Sequence, residues 1–368
     1  MSSVLDDQKL IKQLDTQHVL ESIEKLGAQC EQAWKETTKI VLPPEYRQTK
    51  NIVCLGMGGS TLGSHIIQTV LVDRLRAPLQ IINDYNLPNF VGPETLCFLL
   101  SYSGNTEEVL VAAEQVLARK GKPVIIASGG KLAEFAAKHK LPAYIFEPKN
   151  NPSGQPRLGA GYTLVAQLAV LQNLGLIKID DQELQNIFKF LDTYHKNFSI
   201  KLPLAKNPAK KFAAAMQNKA LALVASEHLI GNVHALANQI NESAKQYAVW
   251  FALPEMNHHL MEGLTFPQVN SANLKFVFFE SDLYHPRVRQ RYPITQDVLQ
   301  QQKIESIRWK AKTPASSAGK SASTASKRMG QALELLTFGG FVSFYLAVLN
   351  NVDPSKIPWV DYFKEQLR

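Results

Sequence analysis

One glutamate stands where a carboxylate could act as a base. Glu242 lies in the segment Asn241-Glu242-Ser243-Ala244-Lys245, just before a strand-like apolar run, so it can point into a crevice. Partial burial raises the pKa of such a carboxylate toward neutrality, which suits it to move a proton between neighbouring carbon atoms. A glutamate that follows a helix is more often a solvated surface residue, and the residues alone leave that alternative open.

Two loops have the composition of an anion-binding site, because each follows an apolar strand and opens a helix. The first is Gly56-Met57-Gly58-Gly59-Ser60, whose glycines let backbone N–H groups approach a ligand. The second, at 101–108, clusters three hydroxyl-bearing residues, namely Ser101, Ser103 and Thr106. These hydroxyls and the N–H groups of the first helical turn can hold a phosphate. Taken alone, the second loop is more often a simple helix cap, formed by Thr106 or Asn105.

The elements that position these loops alternate between short apolar strands and amphipathic helices. Strands are predicted in the first half at 51–55, 79–82, 96–100 and 124–127, with helices between them at about 60–75, 106–118 and 131–138. In the second half, strands are predicted at 221–225, 247–252, 275–279 and 304–309. The alternation predicts an α/β fold with two parallel sheets covered on both faces. Both loops then lie at the carboxyl edge of the first sheet, where such folds bind ligands.

The chain of 368 residues is long enough for two domains, each with its own core. We predict N-terminal helices at 1–45, a first α/β domain at 46–150, connecting helices at 151–205 and a second α/β domain at 206–312. A Ser/Ala-rich segment at 313–328 has no apolar period and is predicted to be a flexible loop. Helices at 329–368 close the chain.

Composition argues against several classes of protein. The three cysteines, Cys30, Cys54 and Cys97, cannot build a disulfide framework, and no CxxC pair indicates a zinc site. The first residues are acidic and lack the apolar segment of a signal peptide, and no run approaches the roughly 18 apolar residues of a membrane span. We therefore expect a cytoplasmic protein with no membrane partner. The net charge of +8 permits a nucleic-acid partner, but the basic residues are scattered without interleaved aromatic residues, so none is expected.

The sequence GMGGS at 56–60, followed by SYSGNTEE at 101–108, resembles the sugar isomerase (SIS) fold, and more narrowly the bifunctional phosphoglucose/phosphomannose isomerase family. The resemblance extends from about residue 51 to residue 367 and implies two SIS-type, flavodoxin-like subdomains with flanking helices. It implies aldose–ketose isomerisation between glucose 6-phosphate and fructose 6-phosphate through a cis-enediol, with mannose 6-phosphate as the second substrate of bifunctional members. No metal or organic cofactor is implied. The residues implied to hold the 6-phosphate are Ser101, Ser103 and Thr106, and those implied to line the sugar are Gly58, Gly59 and Ser60.

The same resemblance implies the catalytic residues. The stretches INESAK at 240–245 and LPEMNHH at 253–259 are similar to a second family signature, in which Glu242 corresponds to the base and His258 to a residue that helps open the sugar ring. The family's histidine comes from the partner subunit, which implies a homodimer. Arg157, in a Pro/Gly-rich turn, corresponds to an arginine that offsets charge on the enediolate oxygens. Lys364, in the last predicted helix, corresponds to a lysine that contacts the ring oxygen.

Several positions depart from the family pattern. Ile357 stands where bifunctional members often have threonine, which argues against use of mannose 6-phosphate. His259 stands where the family usually has asparagine, and the resemblance gives it no role. The stretch ASEHLIG at 225–231 lacks the glycine-rich turn expected in the second half. From the residues alone, Arg157 is equally a solvated loop arginine and Lys364 an ordinary helix lysine.

Two other functions stay open from the sequence. A SIS-type binding protein would sense a sugar phosphate without chemistry, although a sensor has no need of the pair formed by Glu242 and His258. An isomerase of a pentose or amino-sugar phosphate would share the mechanism and differ in the shape of its pocket. Turnover of fructose 6-phosphate distinguishes these alternatives.

Overall fold

The computed structural model describes residues 4–314 and 323–367, in which two parallel sheets confirm the predicted α/β fold. The first sheet has the order β2-β1-β3-β4-β5 and consists of β1 Asn51–Gly56, β2 Leu79–Ile82, β3 Thr95–Ser101, β4 Lys122–Ala127 and β5 Ala143–Ile145. The second has the order β7-β6-β8-β9 and consists of β6 Ala220–Ser226, β7 Ala248–Leu253, β8 Leu274–Glu280 and β9 Glu305–Lys310. The strand order reverses between β1 and β3 and again between β6 and β8. Doubly wound sheets open a crevice for ligands at such points.

Helices cover the sheets and join the two halves of the chain. The helices of the first half are α1 Gln8–Leu14, α2 Val19–Glu24, α3 Leu26–Thr37, α4 Leu62–Val70, α5 Glu107–Ala118, α6 Gly130–His139, α7 Ala160–Asn173 and α8 Asp181–Tyr194. Those of the second half are α9 Pro208–Met216, α10 Ile230–Gln239, α11 Met256–His259, α12 Asn270–Asn273, α13 Pro286–Gln301, α14 Thr324–Leu349 and α15 Pro358–Gln366. Helix α10 continues directly into a π turn at Ile240–Ala244. That turn carries the candidate base.

Helices α4 and α10, each of which follows the first strand of its sheet, pack against one another and hold the halves together. Gly231 permits the close approach, because a Cβ atom there would lie 2.3 Å from the carbonyl oxygen of His65. His65 and His234 meet across the same contact, with ring centroids 4.0 Å apart, and burial lowers the pKa of His65 to about 3. At the end of α10, the Gln239 side chain donates a hydrogen bond to the Arg157 carbonyl at 3.2 Å. The packing therefore sets the π turn against the first half.

The element boundaries differ from the prediction in several places. Strand β5 escapes prediction because only one of its three side chains, Tyr144, is buried. The N-terminal helical segment predicted at 1–45 contains α1, α2 and α3, and α1 is separated from α2 where His18 adopts a left-handed conformation with φ of 57°. Helix α14 begins at Thr324 rather than at 329, because the Ser323 hydroxyl accepts a hydrogen bond from the Ser326 amide. Residues 315–322 of the predicted flexible loop lie outside the described residues.

Helix α14 corrects the expectation that no segment is long and apolar enough to span a membrane. It has 26 residues and a mean hydropathy of 1.8 in its most apolar window, yet 94% of that window is buried inside the protein. It packs against α9, α10 and the π turn, and side chains such as Phe338 and Tyr345 are fully buried. A helix that is apolar on every side is typical of a position surrounded by other elements. Helix α14 is therefore the central helix of the core.

Candidate active site

The glycine loop, residues 56–60, brings the backbone after β1 close to two other segments. Gly58 has a left-handed φ of 49°, and a side chain added there would project into open space. Gly59 packs against the arginine turn, since a Cβ atom would lie 2.6 Å from the amide nitrogen of Arg157. Ser60 is buried, and its hydroxyl accepts a hydrogen bond from the Tyr102 amide at 3.0 Å. The glycine loop therefore contacts both Arg157 and the loop that follows β3.

The hydroxyl loop, residues 101–106, joins β3 to α5. The hydroxyls of Ser101 and Thr106 lie 2.7 Å apart and hydrogen-bond each other, whereas Ser103 is exposed. Thr106 is the N-cap residue of α5, but its side chain makes no capping hydrogen bond, so the helix-cap alternative does not describe the loop. Gly104 allows the turn with a left-handed φ of 71°. The first-turn N–H groups of α5 thus lack a side-chain cap, and uncapped groups of this kind favour an anion.

Arg157 is the centre of a hydrogen-bond network that joins three segments of the chain. Its side chain is fully buried, and each of its five N–H groups meets an acceptor of this chain. Nε donates a hydrogen bond to Ser243 Oγ at 2.9 Å. Nη1 donates to Gln155 Oε1 at 2.9 Å and to Glu242 Oε2 at 3.1 Å. Nη2 donates to the carbonyl oxygens of Pro354 at 2.7 Å and Ser355 at 3.1 Å. Burial lowers the pKa of Arg157, and the Glu242 carboxylate opposes that shift. In this arrangement the guanidinium positions Glu242 and keeps no N–H group for a substrate oxygen.

Glu242 lies in the π turn, and local hydrogen bonds fix the turn in place. Asn241 exchanges two hydrogen bonds with the backbone of Ala248, at 2.8 and 2.9 Å, which ties the turn to the first residue of β7. The Glu242 side chain is 27% exposed, and its Oε2 atom accepts from Arg157. Within the described residues, Oε1 accepts no hydrogen bond. One carboxylate oxygen is therefore held by the arginine while the other stays available, and π turns recur at functional sites for this kind of placement.

The carboxyl edge of the second sheet is filled by side chains. Glu227 takes the left-handed conformation there, with φ of 44°, and begins the short 3-10 helix after β6 as Gly58 begins the one after β1. Tyr284 and Tyr292 are buried at this edge, and the Tyr284 hydroxyl accepts a hydrogen bond from the Ser226 amide at 3.2 Å. The missing glycine-rich turn noted in the sequence thus corresponds to an edge closed by two tyrosines.

His258, in α11, and Lys364, in α15, lie outside the network around Arg157. Both side chains are exposed, and neither makes a hydrogen bond within the described residues. His259 is exposed beside His258. Helix α15 buries none of its residues against the rest of the chain. Within one chain, Arg157 and Glu242 are thus connected to the glycine and hydroxyl loops, whereas His258 and Lys364 are not.

Sequence reasoning misses most of the partners of Arg157. Two partners could have been suspected from their place in the sequence, because Gln155 stands two positions before Arg157 and Ser243 directly follows Glu242. The sequence gives no indication of the carbonyl oxygens of Pro354 and Ser355, since a backbone acceptor can belong to any residue type.

The described residues offer neither a metal-binding cluster nor, at Cys54 and Cys97, a reactive thiol. Within 4–314 and 323–367, no group of three or more His, Cys, Asp or Glu side chains could hold a metal ion. Burial raises the pKa of the Cys54 and Cys97 thiols to about 12, so both remain protonated core residues.

Comparisons with known proteins find two domain models and several relatives that are similar to this chain. The SIS domain model matches residues 45–176, and the model of the bacterial phospho-glucose isomerase C-terminal SIS domain matches residues 205–367. A bifunctional phosphoglucose/phosphomannose isomerase of Caldicellulosiruptor bescii is 29% identical over 95% of this chain and 98% of its own. The protein of the same name in Aquifex aeolicus is 29% identical over 91% of this chain and 94% of its own.

A solved structure shows the same fold. A hypothetical protein from Thermus thermophilus superposes with a TM-score of 0.72 over 98% of this chain and 93% of its own, at 16% identity. Both family models, the near full-length relatives and the two parallel sheets agree. The two parts of the chain thus match SIS-domain models, and nearly the whole chain is similar to proteins named bifunctional phosphoglucose/phosphomannose isomerase.

Proposed function

We propose that this chain is an aldose–ketose isomerase that interconverts glucose 6-phosphate and fructose 6-phosphate. The observation that supports this most directly is the ion pair of Arg157 with Glu242, at 3.1 Å, which joins a carboxylate of the second half to the first half. The backbone of Arg157 packs on Gly59, and Ser60 bonds the hydroxyl loop. A proton acceptor and a set of phosphate-binding groups therefore belong to one connected structure.

The proposed mechanism divides the work between these groups. The 6-phosphate is held by the hydroxyls of Ser101, Ser103 and Thr106 with the first turn of α5, and the sugar is lined by Gly58, Gly59 and Ser60. Glu242 takes a proton from C2 of the open-chain aldose and returns it to C1 through the cis-enediol. Arg157 keeps the Glu242 carboxylate in place. Its positive charge also stabilises the negative charge of the enediolate electrostatically, without a direct hydrogen bond. No metal or organic cofactor takes part, because the substrate's own carbonyl acidifies the C–H bond.

We propose that a homodimer completes the site. Helix α15 and the residue after it leave large apolar side chains in solvent, namely Trp359, Tyr362, Phe363 and Leu367. A continuous exposed apolar surface of this kind is typical of a protein contact. In the dimer, His258 of one subunit helps to open the sugar ring in the other, with Lys364 at the ring oxygen. We expect Trp359→Glu to convert a dimer into a monomer in light scattering, and a monomeric wild-type protein would contradict the dimer.

The proposal extends to the substrate preference of the enzyme and to its location in the cell. Ile357, the residue before α15, has no hydroxyl to offer, so we propose that glucose 6-phosphate is a better substrate than mannose 6-phosphate. We place the enzyme in the cytoplasm, because the charge of a phosphorylated sugar prevents its passage through a membrane.

A coupled assay with fructose 6-phosphate, detecting glucose 6-phosphate and mannose 6-phosphate separately, tests the proposed function. We expect glucose 6-phosphate to form in proportion to enzyme concentration and mannose 6-phosphate to form more slowly. Binding of fructose 6-phosphate without turnover by the wild-type protein would identify a sugar-phosphate sensor and contradict an isomerase.

A further inference from the structure

Lys245 makes contacts that none of the proposed roles uses. It directly follows the π turn and adopts a left-handed conformation, with φ of 51°. Its ammonium group donates hydrogen bonds to the carbonyl of Ser243 at 3.1 Å and to the carbonyl of Asp353 at 2.6 Å. The first acceptor lies in the turn that carries Glu242, and the second lies just before α15. Lys245 therefore bridges two segments that are distant in the sequence.

Arg157 bridges the same two segments. It donates to Glu242 and Ser243 on one side and to the carbonyls of Pro354 and Ser355 on the other. With the Lys245 contact, three successive carbonyls at 353–355 each accept a hydrogen bond from a cation of the site. The turn is fixed further from within, since Asp353 Oδ1 accepts from the amide and the hydroxyl of Ser355. Such a turn is a firm support for the helix that follows it.

We propose that Lys245 is a positioning residue for the isomerisation, whose ammonium group fastens the base-bearing turn to the turn that leads into α15. This inference rests on the proposed function and deepens it. We call this Lys245 bridge the clamp. It fixes the start of α15, which carries Lys364, relative to Glu242. Arg157 holds the carbonyls of Pro354 and Ser355, and Lys245 adds a second cation that holds the Asp353 carbonyl, which Arg157 does not contact.

The clamp depends on the charge of Lys245. Partial desolvation of the ammonium group and the nearby positive charge of Arg157 lower the pKa of Lys245 to about 8, while Asp353 and Glu242 oppose the shift. Lys356 is the further charge at this turn, with its Nζ atom 3.9 Å from the Asp353 carboxylate. Hydrogen bonds from a charged donor are roughly twice as strong as neutral ones. As pH rises above about 8, Lys245 loses its proton and the clamp weakens.

Three variants and two measurements test the clamp. We expect Lys245→Met to lower kcat about tenfold, the effect of losing roughly 1.4 kcal/mol of support, with little change in KM. Lys245→Arg keeps a charged donor, so we expect kcat near that of the wild type and a basic limb of the pH–rate profile that moves upward from about pH 8. Lys356→Met removes the same charge near the same turn without touching the base-bearing turn, and serves as the matched control with unchanged kcat and profile.

Hydrogen–deuterium exchange of the amides at 353–367 supplies a readout that needs no activity. We expect faster exchange in Lys245→Met than in the wild type or in Lys356→Met. Wild-type kcat and exchange in Lys245→Met, or equal losses in the methionine and arginine variants, would overturn the clamp. If the wild-type protein turns over no hexose phosphate, the proposed function fails, and the exchange comparison alone then supports or overturns the link between the two turns.

Discussion

Replacing Arg157 with methionine removes a buried cation and five hydrogen bonds and leaves a shorter, unbranched apolar side chain. Glu242 loses its counter-charge, and the carbonyls of Pro354 and Ser355 lose their donors. Removing one partner of a buried ion pair typically costs about 3–5 kcal/mol. Because Glu242 is 27% exposed and water can reach it, we expect the free energy of unfolding to fall by about 3 kcal/mol. The melting temperature should fall by roughly 4 °C, because an unfolding entropy of about 2.1 cal/mol/K per residue amounts to about 0.8 kcal/mol/K for 368 residues.

The effect on catalysis should be larger than the effect on stability implies. A misplaced base and a lost positive charge together lower kcat/KM by about 100- to 1000-fold, the usual consequence of removing such a group. Calorimetry and the coupled isomerase assay measure the two quantities on the same preparation. An Arg157→Met protein that keeps both values at the wild-type level would refute the role given to the network.

Arg328→Met is the matched control for this experiment. Arg328 pairs with Asp73 at 3.0 Å, and Asp73 lies three residues after the end of α4, as Glu242 does after α10. The pair thus joins a carboxylate at the corresponding position after α4 to an arginine of α14, although within the described residues Arg328 Nε and Nη1 lack the hydrogen-bond partners that Arg157 has. Asp73 is 49% exposed, so we expect a loss of about 1 kcal/mol at most and unchanged kcat/KM. An equal loss of activity in both variants would show that the effect is general and unrelated to Glu242.

Three further changes test separate parts of the account. Gly104→Ala should destabilise the protein by at least about 2 kcal/mol in urea unfolding, because φ is 71° and the added Cβ atom would lie 1.8 Å from a backbone carbonyl; wild-type stability would contradict the loop geometry. Thr106→Val should raise KM for fructose 6-phosphate about tenfold with little change in kcat, and an unchanged KM would remove this hydroxyl from the phosphate site. Burial raises the pKa of Glu334 from 4.5 to about 7, so the folded state keeps a proton that the unfolded state releases, and stability should fall as pH rises from 4.5 to about 7. Melting temperatures of Glu334→Gln between about pH 5 and 8 should lack this fall, and a parallel pH dependence in both proteins would exclude Glu334 as its source.

The sheets could be predicted from the sequence because their signal is local. Strands such as β3 and β8 are apolar runs buried on both faces, and each is followed by a helical pattern. Strand β5 gave no such signal, since its three residues include one buried side chain. The start of α14 was missed because Ser/Ala-rich composition conceals a cap formed by the Ser323 hydroxyl. Short strands and caps depend on single contacts, which apolar periodicity does not record.

The site could be predicted residue by residue but not as a network. The glycine and hydroxyl loops and Glu242 stand in recognisable local motifs, so their residue types were informative. The role of Arg157 depends on carbonyls almost two hundred positions later, at Pro354 and Ser355, and only the folded chain brings them together. The bridge made by Lys245 is of the same kind. Positions fixed by backbone acceptors leave no trace in a single sequence.

The central claim is that Glu242 moves the proton between C1 and C2. Isomerisation in deuterium oxide measures this directly, because a carboxylate base exchanges its proton with solvent and delivers deuterium to the carbon atom. The wild-type protein should place deuterium at C2 of glucose 6-phosphate formed from fructose 6-phosphate, and Glu242→Gln should place none while still binding the substrate. Deuterium at C2 at the wild-type rate in Glu242→Gln would contradict the claim.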